Sequence, residues 1–190
     1  MAPAPTATGP QDDRVVYDVA VESMFQRVLK GRVTPRLQQR LKEAGVDLGQ
    51  KLKPSYPRDV WQRCLNLVME ELYAGVPADK AWGELGERFI ESFRESLLGP
   101  AMLGVLRLLG PKRALARLTQ SFSYGNNYNQ AKLTEVSPTE FLLWVNEAGI
   151  SPHWMAGMVR ALLNVIGVTR HTVEIAEFDG HACTYRVRLR

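Results

Sequence analysis

Apolar residues recur at helical spacing from about Val21 to Phe122 and at strand spacing over much of the remaining chain, and that change of period is the main architectural signal. Leu37 and Leu41 share one face of a short helix that begins after Thr34-Pro35, with Thr34 placed to cap it and Pro35 as its first residue. Trp61, Cys64, Leu65, Val68 and Leu72 make a single stripe on a helix entered at Pro57. Ala81, Leu85, Phe89 and Phe93 repeat the pattern on the next helix, which ends near Leu98-Gly99-Pro100. Met102, Val105, Leu106 and Leu109 form another short helix, stopped by Gly110-Pro111. The helix opened by that proline carries Leu115, Leu118 and Phe122 on one face and Arg113 and Arg117 on the other.

After Gly125-Asn126-Asn127 the period becomes that of strands. The runs 130–136 and 141–146 flank Ser137-Pro138-Thr139 and read as a β-hairpin. Ser151-Pro152 opens a helix through Trp154, Met158, Ala161, Leu162 and Val165, with Gly167 as its C-terminal stop. A second hairpin turns around Asp179-Gly180. A two-residue turn there pairs Val173 with Arg186 and mixes the faces. An odd loop, Phe178-Asp179-Gly180, aligns Val173 and Ile175 with Cys183, Tyr185 and Val187, and coherence of the buried face selects it, with Gly180 left-handed. The order predicts an α+β fold: an N-terminal helical region, then hairpin, helix and hairpin, with helices packed on a small antiparallel sheet.

At 190 residues, 45% hydrophobic and 23% charged, the chain suits one globular domain. We assign it to residues 15–190, with residues 1–14 as a disordered tail whose first ten positions, Met1 to Pro10, are Ala/Pro/Thr-rich and have no signal-peptide pattern. No apolar run is long enough to span a bilayer. Cys64 and Cys183, far apart and outside any C-x-x-C spacing, fit a reducing compartment, and we expect a cytoplasmic protein.

Charge changes this picture at one place. Between Ser96 and Thr134 lie Arg107, Lys112, Arg113, Arg117 and Lys132 and no Asp or Glu, whereas the rest of the chain is balanced, so the formal charge of +4 comes from this segment. It is either a solvated face or a contact surface for an acidic protein partner or a small anionic ligand. Nucleic acid is disfavoured, because no recognised motif is present and few aromatics interleave with the arginines. Asn126, Asn127 and Tyr128 beside it form either a structural turn or a ligand contact.

Catalytic and metal signatures are missing. His153, His171 and His181 have no carboxylate or cysteine at ligand spacing, so no metal or heme is expected. Glu70-Glu71 and the series Glu84, Glu87 and Glu91 read as solvated helix surface, and Cys64 as a small buried hydrophobe. No nucleophile elbow, Walker loop or dinucleotide fingerprint occurs.

Several strings together resemble a paralogous family of domains of unknown function expanded in myxobacteria. They are Leu52-Lys53-Pro54-Ser55-Tyr56-Pro57 followed by Trp61, Ala81 to Gly86, Leu98-Gly99, Leu108 to Leu115 with Gly-Pro-Lys-Arg at its centre, Gly125-Asn126-Asn127-Tyr128, and Trp144-Val145-Asn146-Glu147. The resemblance implies a family and no activity. The last third, a hairpin, a helix with Gly157 and a strand pair holding Asp179-Gly180 and Cys183-Thr184-Tyr185, is similar to the closing pattern of the heme-NO-binding, vinyl-reductase and vesicle-tether superfamily. Heme binding in that superfamily implies a histidine ligand and a Tyr-x-Ser-x-Arg motif, which Tyr128-Asn129-Gln130-Ala131-Lys132 does not supply.

The resulting expectation is a non-catalytic regulatory or interaction module without a cofactor, whose contact surface is Arg107, Lys112, Arg113, Arg117, Asn126, Asn127 and Tyr128. The alternative is a ligand-sensing domain with an apolar cavity between the last hairpin and the helix before it, lined by Trp154, Met158, Cys183 and Tyr185. The sequence carries no signature of a particular oligomeric state.

Overall fold

The computed structural model describes residues 13–92 and 99–190. Residues 1–12 of the expected tail, Phe93 and Leu98 lie outside the described residues, as does the side chain of Met102.

Folding begins earlier than the hydrophobic period indicated. β1 (Val15–Tyr17) leads directly into α1 (Asp18–Glu22), which continues as a π-helical stretch, Ser23–Val28. Arg14, assigned to the tail from sequence, is already part of the folded body through its ion pair with Glu147. Three-residue strands escape period-based reading because they are shorter than the window in which alternation can be seen. α2 (Pro35–Ala44) starts as expected: the Thr34 hydroxyl accepts a hydrogen bond from the Leu37 N–H at 3.1 Å, and Gly45 ends the helix at φ 113°. β2 (Ser55–Pro57), inside the Leu52–Pro57 string, pairs antiparallel with β1 and hands the chain to α3 (Arg58–Leu72).

α4 (Ala78–Ser92) comes next, and then α5 (Gly99–Gly125), which is two helices joined at Gly110. Pro111 excludes a helical conformation from the residue before it, and glycine takes φ 77°, ψ 169° there without a Cβ clash. The expected stop and restart are therefore both present. β3 (Ala131–Ser137) and β4 (Glu140–Val145) form the first hairpin, α6 (Pro152–Val165) starts at the Ser151 cap, and β5 (His171–Phe178) and β6 (Cys183–Leu189) close the chain.

The antiparallel sheet has the order β3-β4-β6-β5. Its inner face, carrying Phe141, Leu143, Val145, Cys183, Tyr185 and Val187, is buried beneath the helices. Val173 pairs with Val187 and Ile175 with Tyr185, so the expected faces are correct, but they arise in another way. The connection is a four-residue loop, Asp179 to Ala182, with Gly180 at φ 96°, and the register is restored by a bulge between Ile175 and Glu177. The expected odd loop is thus an even loop plus one extra strand residue.

α4 and α6 cross at close range. A Cβ on Gly157 would lie 2.0 Å from the Gly83 carbonyl oxygen, and one on Gly86 would lie 2.1 Å from that of Trp154. Only glycine permits this approach, which sets Trp154 against Trp82 (6.4 Å between ring centroids) and Phe89 (5.4 Å).

Candidate functional site

The acid-free segment is less free than its sequence implied. The Arg107 Nε donates to the Val165 carbonyl at 2.8 Å, capping the C-terminal end of α6, and Lys112 pairs with Glu135, one residue beyond the acid-free stretch. Compensation for Lys112 therefore comes from β3. Both side chains thus have a partner within the fold while remaining exposed.

What remains outward is a stripe on the second half of α5. Arg113, Arg117, Gln120 and Tyr124 are exposed at i, i+4, i+7 and i+11, opposite buried Ala114, Leu115, Leu118 and Phe122. The Arg117 guanidinium donates to Gln120 at 3.1 Å, and Arg113 has no ion-pair partner among the described residues. Tyr124 is 75% exposed, and Leu108, just before the kink, is 89% exposed. Both were missed as candidates, although counting on from Arg113 at helical spacing finds Tyr124.

The Asn-Asn-Tyr turn is joined to the N-terminus. The Asn127 side chain accepts from the Val15 N–H at 2.8 Å and donates to the Asp13 carbonyl at 2.9 Å, while its own N–H donates to Val15 at 3.2 Å. Asn126 accepts from the N–H groups of Tyr128 and Asn129. The Tyr128 ring sits 6.0 Å from the Arg58 guanidinium, and Asn146 donates to the Tyr128 carbonyl at 3.0 Å. This geometry accounts for the turn structurally. Beside it, Glu147 is buried and held by Arg58 on one oxygen and by Arg14 at 3.0 Å on the other.

The four residues of the alternative cavity come from α6 (Trp154, Met158) and β6 (Cys183, Tyr185). Met158, Cys183 and Tyr185 are buried in the core, and the Tyr185 hydroxyl donates to the Pro152 carbonyl at 2.9 Å. Trp154 is partly buried between Trp82 and Phe89. A ligand between helices and sheet would have to displace these packed side chains. Burial also pushes the Cys183 thiol up and the Cys64 thiol to about 12, so neither forms a thiolate near neutral pH. We therefore expect the native protein to resist a thiol reagent at pH 8 and to label both cysteines only on unfolding; rapid labelling of Cys183 in the native state would contradict the assigned sheet face.

Elsewhere, a depression of about 380 Å³ beside α2 and α3 is lined by Arg40, Arg63 and Glu70, charges already engaged in pairs. Glu71 receives Arg36 and Arg40, and Glu87 receives Arg160, so these acids tie helices together rather than merely facing solvent. Among the described residues no group of three or more His, Cys, Asp or Glu side chains could hold a metal ion, and no helix is long and apolar enough to cross a membrane.

With this geometry in place, the comparisons are consistent. The family described as "Protein of unknown function (DUF2378)" matches residues 14–188. Among curated proteins none matches. Among solved structures, the Fe(II) unliganded H-NOX protein from K. algicida is similar with a TM-score of 0.65 at 11% identity, over 92% of this chain and 96% of that one. An oxygen-binding H-NOX domain related to soluble guanylate cyclases gives 0.61 at 15% identity, over 90% and 94%. A point mutant of the T. tengcongensis H-NOX gives 0.60 at 15% identity, over 90% and 96%. The likeness, noted from sequence only in the last third, extends over nearly the whole chain.

Another of these similar structures, at 15% identity, concerns heme distortion in the H-NOX family, so the residues of this chain are to be tested against a heme. His181 is exposed in the last turn, the His171 Nδ1 lies 2.9 Å from the Val168 carbonyl oxygen at the start of β5, and His153 stands in the first turn of α6. The described part of α5 has no histidine, and the buried inner face of the sheet offers only a protonated thiol and a tyrosine hydroxyl already in use. The residues present do not fit the group.

Proposed function

From a chain that belongs to the DUF2378 family of proteins of unknown function and shares the α+β fold of H-NOX domains, we propose a non-catalytic regulatory module of the cytoplasm that acts by binding an acidic protein segment. The observation that carries this reading is the outward stripe Arg113, Arg117, Gln120 and Tyr124, set in a stretch from Ser96 to Thr134 that contains no acid. Two arginines one turn apart without compensating charge attract an acidic segment, and a largely exposed tyrosine adds apolar contact area with a polar tip.

The test is the double substitution Arg113→Glu and Arg117→Glu. Each site is exposed, so stability should change by less than about 0.5 kcal/mol per substitution. Affinity for whatever acidic partner the wild-type protein captures should fall at least tenfold, because attraction becomes repulsion. A variant that melts as the wild type does and still recovers the same partner would rule out the stripe.

A second reading, ligand sensing by a group other than heme, is supported by the fold shared with H-NOX domains. Its proposed lining is Trp154, Met158, Cys183 and Tyr185. Against it stands the packing of Met158, Cys183 and Tyr185 in the core, which leaves the tyrosine hydroxyl without a free role in orienting a ligand.

A further inference from the structure

The face of the four-stranded sheet turned away from the helices carries its own groove, independent of the α5 stripe. It is an open depression of about 530 Å³ whose lining includes Lys132, Leu142, Trp144, Glu177, Thr184 and Arg186. The register fixes its order. Lys132 is paired with Trp144, Trp144 with Thr184, and Thr184 with Glu177, so one row crosses all four strands as cation, aromatic ring, hydroxyl and carboxylate. Three strand spacings make that row roughly 14 Å long.

Three observations set this row apart from ordinary solvated surface. Trp144 is 39% exposed in a central strand, between Leu143 and Val145, which are both buried in the core. The bulge in β5 advances the strand by one residue, so that Glu177 as well as Ala176 comes opposite Thr184; bulges recur beside binding sites because they re-aim a side chain in this way. Finally, Lys132 and Glu177 at the two ends have no ion-pair partner among the described residues, whereas the next charges along the same face, Glu140, Arg186, Arg188 and Glu174, are paired with one another.

From this row we infer that the open sheet face is a binding site for a nucleotide, a planar heteroaromatic ring carrying a phosphate. The indole of Trp144 is the stacking platform, sequence-tolerant because every base presents a π-face. Lys132 supplies the point charge for the phosphate. Thr184 and Glu177 meet the far edge of the ring, where the carboxylate accepts from exocyclic N–H donors. The groove volume falls within the range of small-molecule sites.

Calorimetric titration of the full chain with AMP and with GMP tests this, with adenosine and ribose 5-phosphate as the two halves. We expect one of the nucleotides to saturate a single site and each half to bind at least tenfold more weakly. Trp144→Ala should weaken binding at least tenfold, Trp144→Phe should keep most of it, and Lys132→Glu should weaken the nucleotide but not adenosine. The Arg113→Glu, Arg117→Glu protein should bind as the wild type does, which separates this site from the proposed protein contact. No saturable binding of either nucleotide, equal binding of adenosine, indifference to both Trp144→Ala and Lys132→Glu in variants that melt normally, or binding of single-stranded oligonucleotide without mononucleotide would each overturn the proposal.

Discussion

Replacing Gly157 with alanine is expected to destabilise the protein by about 3 kcal/mol, the upper part of the range for overpacking. The added methyl carbon meets backbone on both sides, at 2.0 Å from the Gly83 carbonyl oxygen and 3.1 Å from the Glu87 nitrogen, so no side chain can rotate away. The helices must separate, which loosens Trp154 from Trp82 and Phe89 and stretches the 2.7 Å contact between Arg160 and Glu87. For a chain of this length the loss corresponds to a fall of roughly 6–12 °C in melting temperature. Gly104→Ala is the internal control: a Cβ there meets nothing within 4 Å inside a helix, so it should raise stability by about 0.5–1 kcal/mol. Thermal melts of the two variants should therefore move in opposite directions, and a Gly157→Ala protein melting within 2 °C of wild type, a margin well below the ~6 °C expected, would show that the crossing is looser than the structure has it.

The second large effect is expected at Glu147. Its side chain is 10% exposed and that of Arg58 20%, so the Glu147→Gln substitution strands a largely buried guanidinium without its counter-charge. Breaking such a pair from one side typically costs about 3 kcal/mol or more. Arg14, at 43% exposure, contributes far less, and Arg14→Ala should cost under about 1 kcal/mol. Urea unfolding measures both. Equal costs for the two substitutions would mean that Glu147 is anchored mainly by Arg14 rather than by Arg58.

What the sequence made legible was local. Thr34-Pro35, Ser151-Pro152, Gly110-Pro111 and Gly167 each act within one turn of chain, and each marks the boundary it was expected to mark. The strand faces were also readable, since one side of the sheet must be apolar throughout. Partnerships across long separations were not. Nothing near Lys112 announces Glu135, nothing near Arg107 announces the end of α6, and Asn127 reads as a turn residue until β1 is placed beside it. The bulge at Ala176 was hidden for a related reason: an even loop with a bulge and an odd loop without one leave the same alternation in the sequence. Trp144 fell between two categories, apolar enough to be counted toward the strand pattern and outward enough not to belong to the core.

The joining of the N-terminus to the turn after α5 bears on when the chain can fold. Arg14 and Val15 find their partners at Pro57, Arg58, Asn127 and Glu147, up to 133 positions later. At ribosomal speeds of about 5–20 residues per second, the first strand waits on the order of ten seconds for the last of them to be made. Helices α2, α3 and α4 can form and β2 can pair with β1 during that interval, but the bonds of Val15 to Asn127 and of Arg14 to Glu147 wait until α5 and the first hairpin have emerged. Long-range closure of this kind slows folding and prolongs exposure of unpaired strand backbone. A nascent chain arrested before residue 127 should therefore remain open to proteases around Val15 while its helical middle is already protected, which gives this domain a late-closing N-terminus rather than a front-to-back order of assembly.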